Sequence, residues 1–254
     1  MRYAVFSDIH ANLEGLMAVL EKCEQVGADA LVCCGDIIGY CADPNACVEL
    51  VRKKGVRCIQ GNHERGLRDL GEGRAPNMNP VAMEALAFTR EALEAENLAW
   101  LLSLPEEAEI GGFFHVFHGS PSDPDEYIFD AFEAAYAFKA LVNEYPPPGN
   151  MLCFIGHTHV CAAYAFDPVN HRVAEQKVRD GDLFAIKPGA HYMFNVGSCG
   201  QYRGGLPVAT FCLLDGDEMT LEYHFLEYDL RSCQRKVIAA GLPSILAQRL
   251  SLGQ

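Results

Sequence analysis

A hydrophobic run, Tyr3-Ala4-Val5-Phe6, stops abruptly at Ser7-Asp8-Ile9-His10, and four later apolar runs stop in the same way. Ala30–Cys34 closes in Gly35-Asp36, and Val56–Gln60 closes in Gly61-Asn62-His63-Glu64. Phe113–Phe117 ends at His118-Gly119-Ser120, and Met151–Ile155 ends at Gly156-His157-Thr158-His159. Short apolar runs bounded by turn residues read as buried strands. The first is predicted over residues 2–8. On an extended tip, residues i and i+2 point the same way, so Asp8 and His10 are placed to hold one ion between them.

Amphipathic stretches separate these runs. Residues 12–26 put Leu13, Leu16, Met17, Leu20, Cys23 and Val26 on one helical face, which Gly27 ends. Pro44 opens a second helix that reaches about Val51. Such alternation predicts βαβ units with parallel pairing, whose ligands bind at the carboxyl ends of the strands. Residues 66–79, rich in Gly, Arg and Asn, read as a mobile loop, and 80–103 as one or two helices stopped by Pro105. A helix over 130–143 leads to a stiff connector, Pro146-Pro147-Pro148-Gly149. Beyond residue 160 short strands alternate with turns, at 161–166, 171–178, 183–186, 192–196, 208–214 and 219–226. They read as a run of antiparallel strands that forms a second sheet packed on the first. Helices over 229–240 and after Pro243 close the chain. Residues 1–254 are expected to make one domain: a βαβ-type half to 160, mostly antiparallel strands over 161–228, and helices over 229–254.

The net charge of −14, from 20 basic and 34 acidic residues, argues against long nucleic acids and anionic membranes as partners. No apolar run is long enough for a membrane helix, and the first strand starts without a signal segment, so a cytoplasmic protein is expected. None of the 11 cysteines has C-x-x-C spacing. Cys33, Cys34, Cys58, Cys153 and Cys212 lie inside apolar runs and read as reduced, buried small hydrophobes.

Five of the nine histidines fall at the strand tips. With them the tips supply Asp8, His10, Asp36, Asn62, His63, His118, His157 and His159. Oxygen donors mixed with imidazoles suit Mn, Fe, Zn, Ni or Co better than Mg or Ca. Eight candidates are too many for one tetrahedral ion and suit two divalent transition metals that share a carboxylate. Two such ions roughly 3.5–4 Å apart clamp an in-line displacement at phosphorus and hold a hydroxide that attacks it. Glu64 reads as orienting its neighbours, and His115 as packed in its strand. His171, His191 and His224 have no motif around them and read as surface or structural. Arg65, Arg68 and Arg74 are candidates to meet a substrate phosphate or base, although solvated loop charges are the commoner outcome. Tyr202 and Arg203, after the turn Gly197–Gln201, either reach the site or close that turn.

The blocks Ser-Asp-Ile-His, Gly-Asp-Ile-Ile-Gly, Gly-Asn-His-Glu, His-Gly-Ser and Gly-His-Thr-His, in this order across residues 7–159, resemble the calcineurin-like metallophosphoesterase superfamily. The compact length and Gly197-Ser198-Cys199-Gly200-Gln201 resemble its small bacterial and archaeal phosphodiesterase branch. The resemblance implies an α/β fold, a four-layer α/β/β/α sandwich of two mixed sheets flanked by helices. It implies that Asp8, His10 and His159 hold a first metal, that Asn62, His118 and His157 hold a second, and that Asp36 bridges both. His63 would be catalytic, beside the phosphate, and Asn12 would lie near the phosphate. Ala11 stands where many relatives have glycine. The implied function is hydrolysis of small, nucleotide-derived phosphodiesters. The alternatives are a phosphomonoesterase or protein phosphatase with the same metals, or a non-catalytic binding scaffold.

Overall fold

The computed structural model of the chain describes residues 1–145 and 152–254. The connector expected at 146–149 and the strand start at Met151 lie outside the described residues. In chain order the first elements are β1 (Arg2–Phe6), α1 (Leu13–Gln25), β2 (Ala30–Cys33), α2 (Pro44–Lys53), β3 (Arg57–Cys58) and α3 (Asn62–Gly71). There follow α4 (Pro80–Ala92), α5 (Ala95–Ser103), β4 (Ala108–Ile110), β5 (Phe114–Val116), α6 (Ala131–Glu144) and β6 (Leu152–Ile155). Then come β7 (Cys161–Asp167), β8 (Arg172–Lys177), β9 (Leu183–Ala185), β10 (His191–Val196), β11 (Ala209–Asp215), β12 (Thr220–Leu226), α7 (Leu230–Ala239) and α8 (Ser244–Leu252).

The strands form two six-stranded mixed sheets, ordered β3-β2-β1-β11-β12-β9 and β4-β5-β6-β10-β7-β8. In the first, β1 runs parallel to β2, with Phe6 opposite Cys33, and antiparallel to β11, with Ala4 opposite Leu213. In the second, β6 is parallel to both β5 and β10, and β10 is antiparallel to β7. The two-residue alternation of side chains explains why β1 is apolar throughout. Ala4 and Phe6 join the core under the helices, while Tyr3 and Val5 join the core between the sheets. Leu16, Val19 and Leu20 of α1 cover the outer face of the first sheet. Phe138 and Leu141 of α6 cover the outer face of the second, against Ile155, Tyr164 and Met193. Helices, sheet, sheet and helix make the four layers that were expected.

Three expectations are corrected. The strands beyond residue 160 do not form a sheet of their own: β7, β8 and β10 complete the second sheet, while β9, β11 and β12 complete the first. Each sheet thereby buries its apolar strands on both sides. Residues 66–71, expected in a loop, continue α3, because Leu67 packs into the core under the first sheet. The strand predicted over 2–8 ends at Phe6, so Asp8 and His10 lie beyond it rather than on an extended tip. All 11 cysteines are buried and unpaired, in keeping with the sequence. No helix among the described residues is long and apolar enough to cross a membrane.

Candidate metal centre

Past the ends of β1 and β2 the backbones stay zipped: Asp8 N–H donates to the Gly35 carbonyl and His10 N–H to that of Asp36, each at 3.0 Å. The turn after β10 clamps the same tip. Ser198 Oγ donates to the Asp8 carbonyl at 2.8 Å, and Cys199 N–H donates to the Ser7 carbonyl at 2.8 Å. Asp8, His10 and Asp36 in this zipped segment adopt a left-handed backbone, as do His157 and His159 at the tip of β6, with φ between 50° and 64°. Such a conformation costs a non-glycine residue on the order of 1–3 kcal/mol and concentrates at functional sites. At Gly156 a Cβ would lie 2.1 Å from Ser7 Oγ and 2.5 Å from Asp8 Oδ2, so only glycine lets the tips of the two sheets meet.

The side chains converge. Asp8 Oδ1 lies 3.2 Å from His159 Nε2 and 3.7 Å from His10 Nε2, and the two Nε2 atoms are 3.0 Å apart. Asp36 Oδ2 lies 3.6 Å from His10 Nε2 and 3.4 Å from His118 Nε2, which is 3.1 Å from Asn62 Oδ1. Three imidazoles have their other nitrogen anchored on backbone carbonyls: His10 Nδ1 on Ile38 at 3.1 Å, His118 Nδ1 on Cys34 at 2.9 Å, and His159 Nδ1 on Gln201 at 2.7 Å. That anchoring orients the three rings with Nε2 turned inward, the atom that would meet a metal. His157 is held the other way round, its Nε2–H donating to the Asp125 carbonyl at 3.1 Å and its Nδ1 free.

These residues fit divalent metal ions. The Nε2 atoms of His10 and His159 face each other, and Asp8 Oδ1 is buried with no hydrogen-bond partner. Three triads have their ligand atoms within 4.8 Å of one another: Asp8, His10 and His159; His10, Asp36 and His63; and Asp36, His118 and His157. Burial raises the Asp8 and Asp36 carboxyls, but the surrounding imidazoles, His159 for Asp8 and His118 for Asp36, outweigh it and hold both below the ordinary range. Burial disfavours a charged His118, yet the Asp36 charge lifts its pKa to about 9, so the pocket draws positive charge. Burial lowers His63 and His157 to about 3, and lowers His159 to about 4 with Arg203 adding to the effect.

Glu64 is buried and serves as an acceptor for backbone amides. Its carboxylate accepts N–H groups from Gly61 at 2.8 Å, Asp36 at 3.0 Å, Ile37 at 2.9 Å and Ile38 at 3.3 Å, which ties α3 to the tip of β2. Burial and the Asp36 charge raise its pKa against the pull of those amides. Of the six expected substrate residues, four stand at the cluster or, as Arg65, Arg68 and Arg74 do, in the cleft beside it. Arg203 lies over the Tyr40 ring at 5.8 Å, and that ring is 4.5 Å from His10 and 4.7 Å from His63. Arg65 lines a cleft beside Asn62 and His157, paired with Asp125. The other two are turned away. Asn12 caps α1, accepting Gly15 N–H at 3.0 Å and donating to the Gly200 carbonyl at 2.7 Å. Tyr202 is buried in the core between the sheets, 5.4 Å from Phe225, because its neighbours in β12 offer an apolar slot. His115 packs between Phe117 and Tyr145, His191 on Phe166 and His224 on Phe211. Sequence reasoning missed Tyr40 and Tyr127, aromatics in loops that belong to none of the five blocks. Tyr127 stacks on His157 at 3.9 Å.

A family model described as a calcineurin-like phosphoesterase superfamily domain matches residues 1–219. An uncharacterised protein of Methanocaldococcus jannaschii is 34% identical over 254 residues, covering 99% of this chain and 98% of its own length. A metallophosphoesterase from Sphaerobacter thermophilus superposes with a TM-score of 0.84 at 38% identity, over 100% of this chain and 99% of that one. A hypothetical protein from Pyrococcus horikoshii shares the fold at 19% identity, with a TM-score of 0.75 over 100% of this chain and 98% of its own.

Proposed function

The chain belongs to the calcineurin-like phosphoesterase superfamily, and from that membership we propose that it is a cytoplasmic hydrolase of small, nucleotide-derived phosphodiesters that works with two divalent metal ions. The observation that carries this reading is the place of Asp36, whose Oδ2 lies 3.6 Å from His10 Nε2 on one side and 3.4 Å from His118 Nε2 on the other. Asp8, His10 and His159 would hold one ion, Asn62, His118 and His157 the other, and Asp36 both. The donor set suits Mn, Fe, Zn, Ni or Co. When bound, the two ions supply positive charge to the phosphoryl oxygens and acidify water to a pKa of about 7.

The protein's own groups do the rest. Glu64 fixes the loop that carries Asp36, so the shared carboxylate is held in place before substrate arrives. His63, kept neutral by burial, lies with its ring 4.7 Å from that of His10, where its N–H would donate a hydrogen bond to the charge that develops on the phosphoryl group and the leaving oxygen. Arg203 adds a cation at the His10 and His159 side of the cluster. The preference for diesters rests on the likeness to the compact phosphodiesterase branch.

Mass spectrometry of the metal content tests the reading, with turnover of a bis-aryl and a mono-aryl phosphate measured on the same sample before and after Mn addition. The expected result is about two ions per chain and diester turnover that chelation abolishes. No metal uptake, or turnover of the monoester alone, would overturn it.

A further inference from the structure

A cleft of about 340 Å³ opens between α3 and the loop that precedes α6, directly beside the cluster. Its floor is Asn62 and His157, and its walls include Arg65, Arg68, Met78 and Tyr127. The size lies within the range of small-ligand pockets. Three arginines at its rim suggest an anion trap, but each already has an acid: Arg65 pairs with Asp125, Arg68 with Glu106, and Arg74 with both Asp69 and Glu72. What the cleft offers instead is aromatic surface at Tyr127 and His157, with Phe129 stacked on Tyr127 outside the lining. Tyr127 lies on His157 with centroids 3.9 Å apart, and Phe129 lies parallel to Tyr127 within 2° at 5.6 Å. The two outer rings are 44% and 56% exposed, a costly arrangement for rings that could have been buried. Arg65 holds the loop that carries them, donating to the Pro124 carbonyl at 3.2 Å as well as pairing with Asp125.

We infer that this cleft is the subsite for the organic group of the ester, that it takes a planar aromatic heterocycle of the nucleobase kind, and that Tyr127 sets the preference. The inference rests on the phosphoesterase reading and deepens it. The phosphoryl group sits at the cluster, and the group esterified to it runs into the cleft, where its flat ring meets the edge of the aromatic stack. Arg65 is here a positioning residue, acting through the loop.

Calorimetric titration of the Mn-loaded protein with adenosine 5′-monophosphate and with ribose 5-phosphate isolates the base, because the two ligands share the same phosphate and sugar. The expected result is that the nucleotide binds about two- to tenfold tighter, the weight of an edge-to-face ring contact. Tyr127→Ala should collapse that ratio towards one, and Tyr127→Phe, which keeps the ring, should retain it. A proportional loss for both ligands in Tyr127→Ala would give Tyr127 a purely structural role and overturn the inference. An equal affinity of the wild-type protein for both ligands would overturn the inference while leaving the phosphoesterase reading intact. Binding of neither ligand would sink that reading and this subsite with it.

Discussion

His63 touches the cluster without the anchor its neighbours have. His10, His118 and His159 each set Nδ1 against a backbone carbonyl, whereas His63 Nδ1 is buried without a partner. It lies against Gly39, where a Cβ would come within 2.1 Å of it and where φ is +95°. A ring packed this way is positioned by shape alone, so removing it should spare the ligands. In His63→Ala the metal content is expected to match the wild type while kcat falls by about 10²-fold or more, the usual weight of a donor to charge that develops in the transition state. Unchanged turnover would refute its catalytic role. At this scale the ligand types were legible, because each closes a short apolar run. Their left-handed backbone was not. Asp and His tolerate φ near 50° better than most residues but do not require it; the bonds of Asp8 and His10 to the carbonyls of Gly35 and Asp36 select it from 27 and 26 residues away in the chain. Tyr202 misled in the opposite sense: its neighbourhood in sequence suggested the site, and the core claimed its ring.

Among the elements, α3 contributes more than its length suggests. Its first turn carries Asn62, His63 and Glu64, and Glu64 gathers four amides from its own N-terminus and from the tip of β2. These are donors only, so they need an acceptor with no hydrogen of its own. Glu64→Gln would turn an NH2 group towards at least one of them. A buried donor left unsatisfied costs about 1–3 kcal/mol, and for a chain of this size each 1 kcal/mol shifts Tm by about 2–4 °C. The expected Tm loss in scanning calorimetry is therefore a few degrees. A Tm within 1 °C of the wild type would show that the amides find other partners. The capping role of Glu64 was legible from Gly-Asn-His-Glu, but the length of α3 was not. Gly66 reads as a breaker, and the burial of Leu67, with Leu70 packed beside it, outweighs it; the helix then ends at Gly71, before Gly73.

Over the whole molecule, the cluster is a seam between the sheets. Asp8, His10, Asp36 and Asn62 come from the ends of β1, β2 and β3, while His118, His157 and His159 come from the ends of β5 and β6. The alternation of strands and helices foretold these tips. The interleaving of the later strands into both sheets could not be read, because strand pairing over such separations is set by packing and not by local pattern. The consequence is thermodynamic. Ions that bind the folded seam and not the unfolded chain should stabilise the entire fold. At a free concentration of 100 Kd each site contributes about 2.7 kcal/mol, so two sites give about 5 kcal/mol and raise Tm by about 10–20 °C. Thermal unfolding with Mn and with a chelator measures this. Variants then separate shared from single ligands. On the proposed assignment Asp36→Asn weakens both sites and should lose most of the metal-induced shift, whereas His159→Ala touches one site and should lose about half. Equal losses in the two variants would remove Asp36 from its place between the ions, and no shift in the wild-type protein would mean that the facing Nε2 atoms of His10 and His159 are met by something other than a metal.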